Sequence, residues 1–139
     1  VQQTPSRGGI LYMGTQESSE NYLETILILG QGGNRVRSVD IAERLNYTKA
    51  SVSVAMKKLR LEGHIKIDRG IISLTESGKK IAESMYERHV VISDWLIFLG
   101  VDRKIAVDDA CRMEHHISDQ SFAAIKQHIK DWKQKILFE

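Results

Sequence analysis

The sequence predicts a mainly α-helical protein in two parts: three helices closed by a β-hairpin, then a unit built of helices alone. Three observations carry this. Apolar residues recur at helical spacing through most of the chain, the pattern breaks once into two short Ile-rich runs around a turn, and positive charge gathers in the N-terminal half.

The elements follow in order. Ser18 or Ser19 can cap a first helix running to about Leu29, with Tyr22, Ile26 and Leu29 on one face, before GQGGN breaks it. Ser38 precedes VDIAERL, a short helix with Val39, Ile41, Ala42 and Leu45 turned inward. After the turn NYT, Thr48 caps KASVSVAMKKLRLEG, where Val52, Met56 and Leu59 repeat at helical spacing and Gly63 suits a helix stop. HIKID and IISL then flank DRG, the signature of a hairpin. Thr75 opens a long helix to Gly100, with Ile81, Met85, His89, Ile92 and Leu96 along one stripe. Two further helices are expected, from about Asp102 to Ile117 and from a Ser118 cap onward.

Helix, tight turn, helix and hairpin is the outline of a winged helix-turn-helix, whose second helix enters the DNA major groove. Residues 35–80 carry 11 Lys/Arg against 5 Asp/Glu, a local +6, while the rest of the chain is at −4. Order of elements and charge together favour DNA over a small α+β domain with no nucleic-acid role. Trp95, Leu96, Phe98, Phe122 and Ile125 offer more apolar surface than short helices can hide, which points to a second copy of the chain as partner. The expected division is residues 1–17 as a tail or cloning-derived segment with a native start at Met13, 18–75 as the winged helix-turn-helix, and 76–139 as an all-helical dimerisation domain.

No apolar run approaches the roughly 20 residues that cross a bilayer, and no secretory leader is evident, so the expected address is cytoplasmic. Cys111 is the sole cysteine, which rules out an intrachain disulfide and fits a reducing compartment.

That cysteine lies in CRMEHH, residues 111–116. On a helix, Cys111, Glu114 and His115 share a face. Thiolate, carboxylate and imidazole suit first-row divalent metals better than Ca²⁺ or Mg²⁺. Three donors supply half a coordination sphere, and His89, Glu24 and Asn21 are candidates for the rest. Other readings remain open: plain helix surface, or a thiol redox sensor in which a neighbouring imidazolium activates Cys111. Catalysis is the weakest, because i, i+4 neighbours leave little room for substrate and no Gly-rich loop is placed to hold an anion. No enzyme is expected.

With SENYLETI, SVDIAERLNYTKASVSVAMKKLRLEGHI, DRGIISLTESGKKIA, RH and DDACRMEHHIS in this order, the chain resembles the metal-dependent repressors of the diphtheria toxin repressor and manganese transport regulator family, from about Ser18 to its end. The resemblance implies a homodimeric repressor of metal-uptake genes, activated by Fe²⁺ or Mn²⁺, with Zn²⁺ or Co²⁺ able to bind in vitro. It places the metal ligands at Asn21, Glu24, His89, Cys111, Glu114 and His115. Two of these depart from the manganese type, which has Asp at Asn21 and Glu at Cys111. The iron type has Met at the first of these and Cys at the second, and its ancillary histidine falls on Val107, which cannot ligate. The donor mix leans to iron over manganese.

For DNA, the resemblance and the helix pattern together single out Thr48, Lys49, Ser51, Ser53 and Lys57 at the start and outer face of the recognition helix, and Arg69 in the wing, with a roughly palindromic double-stranded operator as partner. Lys57 and Arg69 suit phosphates, which position without specifying sequence. Val54 stands where the iron type has a polar base-reading residue, so operator preference does not carry over.

Overall fold

The computed structural model describes residues 15–138. They fall into two compact units, one through Met85 and one from Tyr86.

The first unit contains α1 (Thr15–Leu29), a 3-10 turn at Gln31–Gly33, α2 (Ser38–Leu45), α3 (Lys49–Leu61), β1 (Ile65–Asp68), β2 (Ile71–Leu74) and the opening turns of α4 (Glu76–Phe98). Helix α1 begins at Thr15 rather than at Ser18 or Ser19, so those serines lie inside it, and Glu17 complements the dipole in the first turn. The expected tail otherwise lies outside the described residues, as does Met13. Arg37, not Ser38, caps α2: its N–H donates to the Asp40 carboxylate at 2.9 Å. Thr48 caps α3 as expected, accepting from Ser51 N at 3.1 Å. The helix stops with Gly63 N bonded to Arg60 O and His64 N to Leu59 O, a paired closure that places Gly63 at φ +82.

Leu23, Ile26, Ile41, Val52, Met56, Leu59 and Ile65 form the core of this unit. Val39, expected inside, is 41% exposed. It lies in the first turn of α2, where Ile41 and Ala42 take the buried positions.

The hairpin pairs Ile65 with Leu74 and Asp68 with Ile71, leaving Arg69–Gly70 as a two-residue turn with φ +50 and +80, the left-handed pair that matches strand twist. Val36 adds a bridge to Ile72 that the sequence pattern did not signal, with Ile72 N donating to Val36 O at 2.8 Å. At the foot of the wing, Thr75 Oγ1 donates to Gly63 O at 2.7 Å and accepts from Gly78 N at 3.3 Å. Gly78 sits so close to β1 that a Cβ there would stand 2.0 Å from His64 O.

The second unit comprises the rest of α4, α5 (Arg103–Met113) and α6 (Asp119–Leu137). Ile92, Ala110 and Phe122 form its core, with Val91, Leu96, Met113 and Ile117 against them. Phe122 and Leu96 are therefore not surplus apolar surface, contrary to the expectation. The surplus is instead Phe98, edge-on to Trp132 with centroids 4.7 Å apart, together with Leu99 and Ile136. Phe98 and Trp132 help line a groove of about 540 Å³ between α4 and α6. Helix α5 is shorter than expected: it ends at Met113, with Glu114 as cap and a turn leading to Ser118, which caps α6 by accepting from Ser121 N. No helix among the described residues is long and apolar enough to cross a membrane.

Candidate metal centre and nucleic-acid interface

The CRMEHH stretch straddles the end of α5. Cys111 lies in the last helical turn, and Glu114 keeps helical torsions (φ −59, ψ −30) with its N–H bonded to Ala110 O at 3.0 Å. From α4, His89 Nδ1 stands 3.1 Å from Glu114 Oε2 and 3.6 Å from Cys111 Sγ. On the other side, Glu114 Oε1 is 3.2 Å from His115 Nε2, and both of these side chains are 1% exposed. The second unit thus gathers four of the six candidate ligands. His116 is exposed.

Hydrogen bonds to Cys111 and then to Glu114 raise the His89 pKa from the usual 6.5 to about 10, outweighing burial, which acts in the opposite direction. An imidazolium therefore sits beside a buried carboxylate and a thiol. The contacts run in sequence, Cys111 to His89, His89 to one Glu114 oxygen, and the other Glu114 oxygen to His115. The donor types, sulfur, carboxylate and imidazole, are those that hold first-row divalent cations. As they stand, these groups bond to one another in a chain, and among the described residues no three His, Cys, Asp or Glu side chains already converge as a metal cage.

Asn21 and Glu24 belong to α1 in the first unit. Glu24 is buried. Asn21 hydrogen-bonds the phenol of Tyr47, which also stacks edge-on with Tyr22 at 5.9 Å. Its amide thereby ties α1 to the turn between α2 and α3, a contact that the sequence pattern did not indicate. Arg88 was also missed: it is buried in mid-helix beside His89, and its guanidinium reaches the carbonyls of Glu114 and Ile117 and the carboxylate of Asp119. The sequence did carry it, in the RH pair of the family resemblance and as a charged residue on an otherwise apolar flank of α4, but only His89 of that pair was assigned a role.

In the first unit, Thr48, Lys49, Ser51, Ser53, Lys57 and Arg69 are all exposed. Thr48 Oγ1 also donates to Ser51 Oγ at 2.8 Å, so these two hydroxyls are engaged in the cap. At 100° per residue, the middle of the exposed α3 face is held by Ala50, Val54, Lys57 and Leu61, with Ser51 and Ser53 on opposite flanks. Val54 and Leu61 are 71% and 76% exposed. Arg69 occupies the wing tip, and Arg37 Nη1 lies 3.1 Å from where a Cβ on Gly70 would stand, adding a second cation there.

Two family models match in tandem: the iron dependent repressor N-terminal DNA binding domain over residues 14–70, and the iron dependent repressor metal binding and dimerisation domain over residues 75–135. The HTH-type transcriptional regulator MJ0568 of Methanocaldococcus jannaschii is 33% identical, over 86% of this chain and 98% of its own length. The chain belongs to the iron-dependent repressor family. The family consists of DNA-binding regulators rather than enzymes, and the two clusters just described lie one in each matched segment. The transcriptional regulator MntR of Escherichia coli is 35% identical over 80% of this chain and 72% of its own length. Among solved structures, a manganese-dependent transcriptional repressor in complex with manganese superposes with a TM-score of 0.74 at 28% identity, covering 81% of this chain. The manganese regulator SloR gives 0.73 at 27% identity over the same share. The chain spans about half the length of these two structures.

Proposed function

We propose that this protein is a cytoplasmic, homodimeric repressor of metal-ion homeostasis genes that binds a roughly palindromic operator when Fe²⁺ or Mn²⁺ occupies a site made by Asn21, Glu24, His89, Cys111, Glu114 and His115. In this reading residues 18–75 bind DNA and residues 76–139 bind metal and dimerise. The observation that carries it is the interlocked set His89, Cys111, Glu114 and His115, in the segment that matches the family's metal-binding domain. Two relatives described as manganese regulators support the choice of a divalent transition metal.

The bound cation supplies a fixed positive charge that several donors share. His89, Cys111, Glu114 and His115, which contact one another in the second unit, would hold the cation there, with the His89 proton passing to solvent as its nitrogen became a donor. Cys111 and the neutral amide of Asn21, in place of further carboxylates, favour Fe²⁺ over Mn²⁺. Ligands drawn from both domains would favour one domain arrangement over others when a cation was held, which is the coupling a sensor needs. Lys57 and Arg69 contact phosphates, and Thr48, Lys49, Ser51 and Ser53 lie at the groove. The groove beside Phe98 and Trp132 receives the second copy.

Operator binding titrated with Mn²⁺, Zn²⁺ and, anaerobically, Fe²⁺ tests this directly, alongside Glu114→Ala. Wild type is expected to bind DNA only with metal and the variant to lose the response. Equal, metal-independent binding by both proteins overturns the reading.

A further inference from the structure

Helix α4 holds Glu114 at two points with consecutive residues. His89 meets the carboxylate, whereas Arg88 takes the main chain: Nη1 donates to Glu114 O at 2.9 Å and also to Ile117 O. Its Nη2 donates to Asp119 Oδ1, and the guanidinium lies over the Phe122 ring, 5.3 Å from the centroid. The Arg88 side chain is 5% exposed.

A charge this deeply buried persists only where its lost hydration is replaced by hydrogen bonds. Every hydrogen bond described for it goes to residues 114–119, the connection between α5 and α6. Glu114 and His115 sit on that connection, and three residues there are held by one planar fork. A lysine offers a single ammonium on a flexible stem and cannot span the same set with the same geometry.

We infer that Arg88 is the positioning residue of the metal site: by fixing the carbonyls of Glu114 and Ile117 it sets the torsions of the turn, and so where the Glu114 carboxylate and His115 imidazole stand. This rests on the reading of the cluster as a metal site. Arg88 itself does not touch the cation. Partners that orient ligands from behind typically change metal affinity 10- to 100-fold when removed, and that is the range expected here.

The test uses the full chain with Co²⁺ as probe, whose thiolate charge-transfer band reports ligation by Cys111, together with amide hydrogen exchange before metal is added. Arg88→Lys, Arg88→Ala and Asp119→Asn are compared with wild type. Arg88→Lys is expected to keep the helical circular dichroism, bind Co²⁺ about 10- to 100-fold more weakly, and exchange amides 115–118 faster while those in the middle of α4 are unchanged. Asp119→Asn shows the same changes to a smaller degree, and methylguanidinium restores part of the affinity of Arg88→Ala. If Arg88→Ala does not fold, the other two variants decide. Wild-type Co²⁺ affinity in folded Arg88→Lys overturns the positioning role alone. Failure of the wild type to give the thiolate band overturns the metal-site reading and this inference with it.

Discussion

His89 Nδ1 lies 3.1 Å from Glu114 Oε2, joining α4 to the turn after α5 through one imidazole and one buried carboxylate. Because Cys111 and Glu114 raise the His89 pKa to about 10 from 6.5, the folded chain holds this proton more tightly than the unfolded chain does. The resulting stability is fully present below pH 6.5 and is lost as pH rises through about 10. Urea unfolding of wild type and His89→Gln in chelator, across that window, is expected to show a stability gap that narrows with rising pH. A gap that stays constant would remove the imidazolium from the account.

Two glycines separate collision from torsion. Gly63 has φ +82 and open space around a notional Cβ, so Gly63→Ala costs only left-handed strain, about 1 kcal/mol. At Gly78 the same change drives a methyl onto His64 O, and about 3 kcal/mol is expected. Denaturant midpoints of the two variants check the order, and a Gly78→Ala no worse than Gly63→Ala would contradict the close packing at the foot of the wing.

DNA affinity is expected to divide between charge and shape. Lys57→Ala and Arg69→Ala should each lower the slope of log K against log salt by about one and weaken all sequences alike. Val54, exposed on the middle of the α3 face, is suited to a thymine methyl. Val54→Ser should leave the salt slope unchanged and reduce the penalty for replacing thymine by uracil in the operator. Binding measured over a salt series with both operators distinguishes the two effects.

Phe98 and Trp132 form an edge-on pair that is about half exposed, on the rim of an apolar groove. Trp132→Asp is expected to raise the dimer dissociation constant about tenfold or more while leaving the Ile92–Phe122 core folded. Sedimentation velocity, with circular dichroism as the control for folding, reads both.

Among the described residues, periodicity located the α-helices and the hairpin, though not the 3-10 turn at Gln31–Gly33, because burial on one face dictates where apolar residues recur. It misplaced ends where polar contacts decide. Arg37 caps α2 through the Asp40 side chain, and α5 ends at Met113, just before a turn whose Glu114 and Ile117 carbonyls accept from Arg88. The local pattern of CRMEHH marked three donors, His89 was named as a candidate for the rest of the set, and the family resemblance pointed to the same residue. Neither disclosed that Asn21 bonds Tyr47 or that a buried arginine braces the main chain behind Glu114, since such contacts join residues far apart in the chain and leave no period.

The one thiol in this protein is exposed and belongs to the cluster itself. Cys111 is therefore a unique attachment point for a maleimide dye or spin label, and under the proposed function metal should slow its alkylation, a readout that needs no DNA. The same exposure makes handling in air consequential, because oxidation at this single sulfur would remove the thiolate that the proposed site requires.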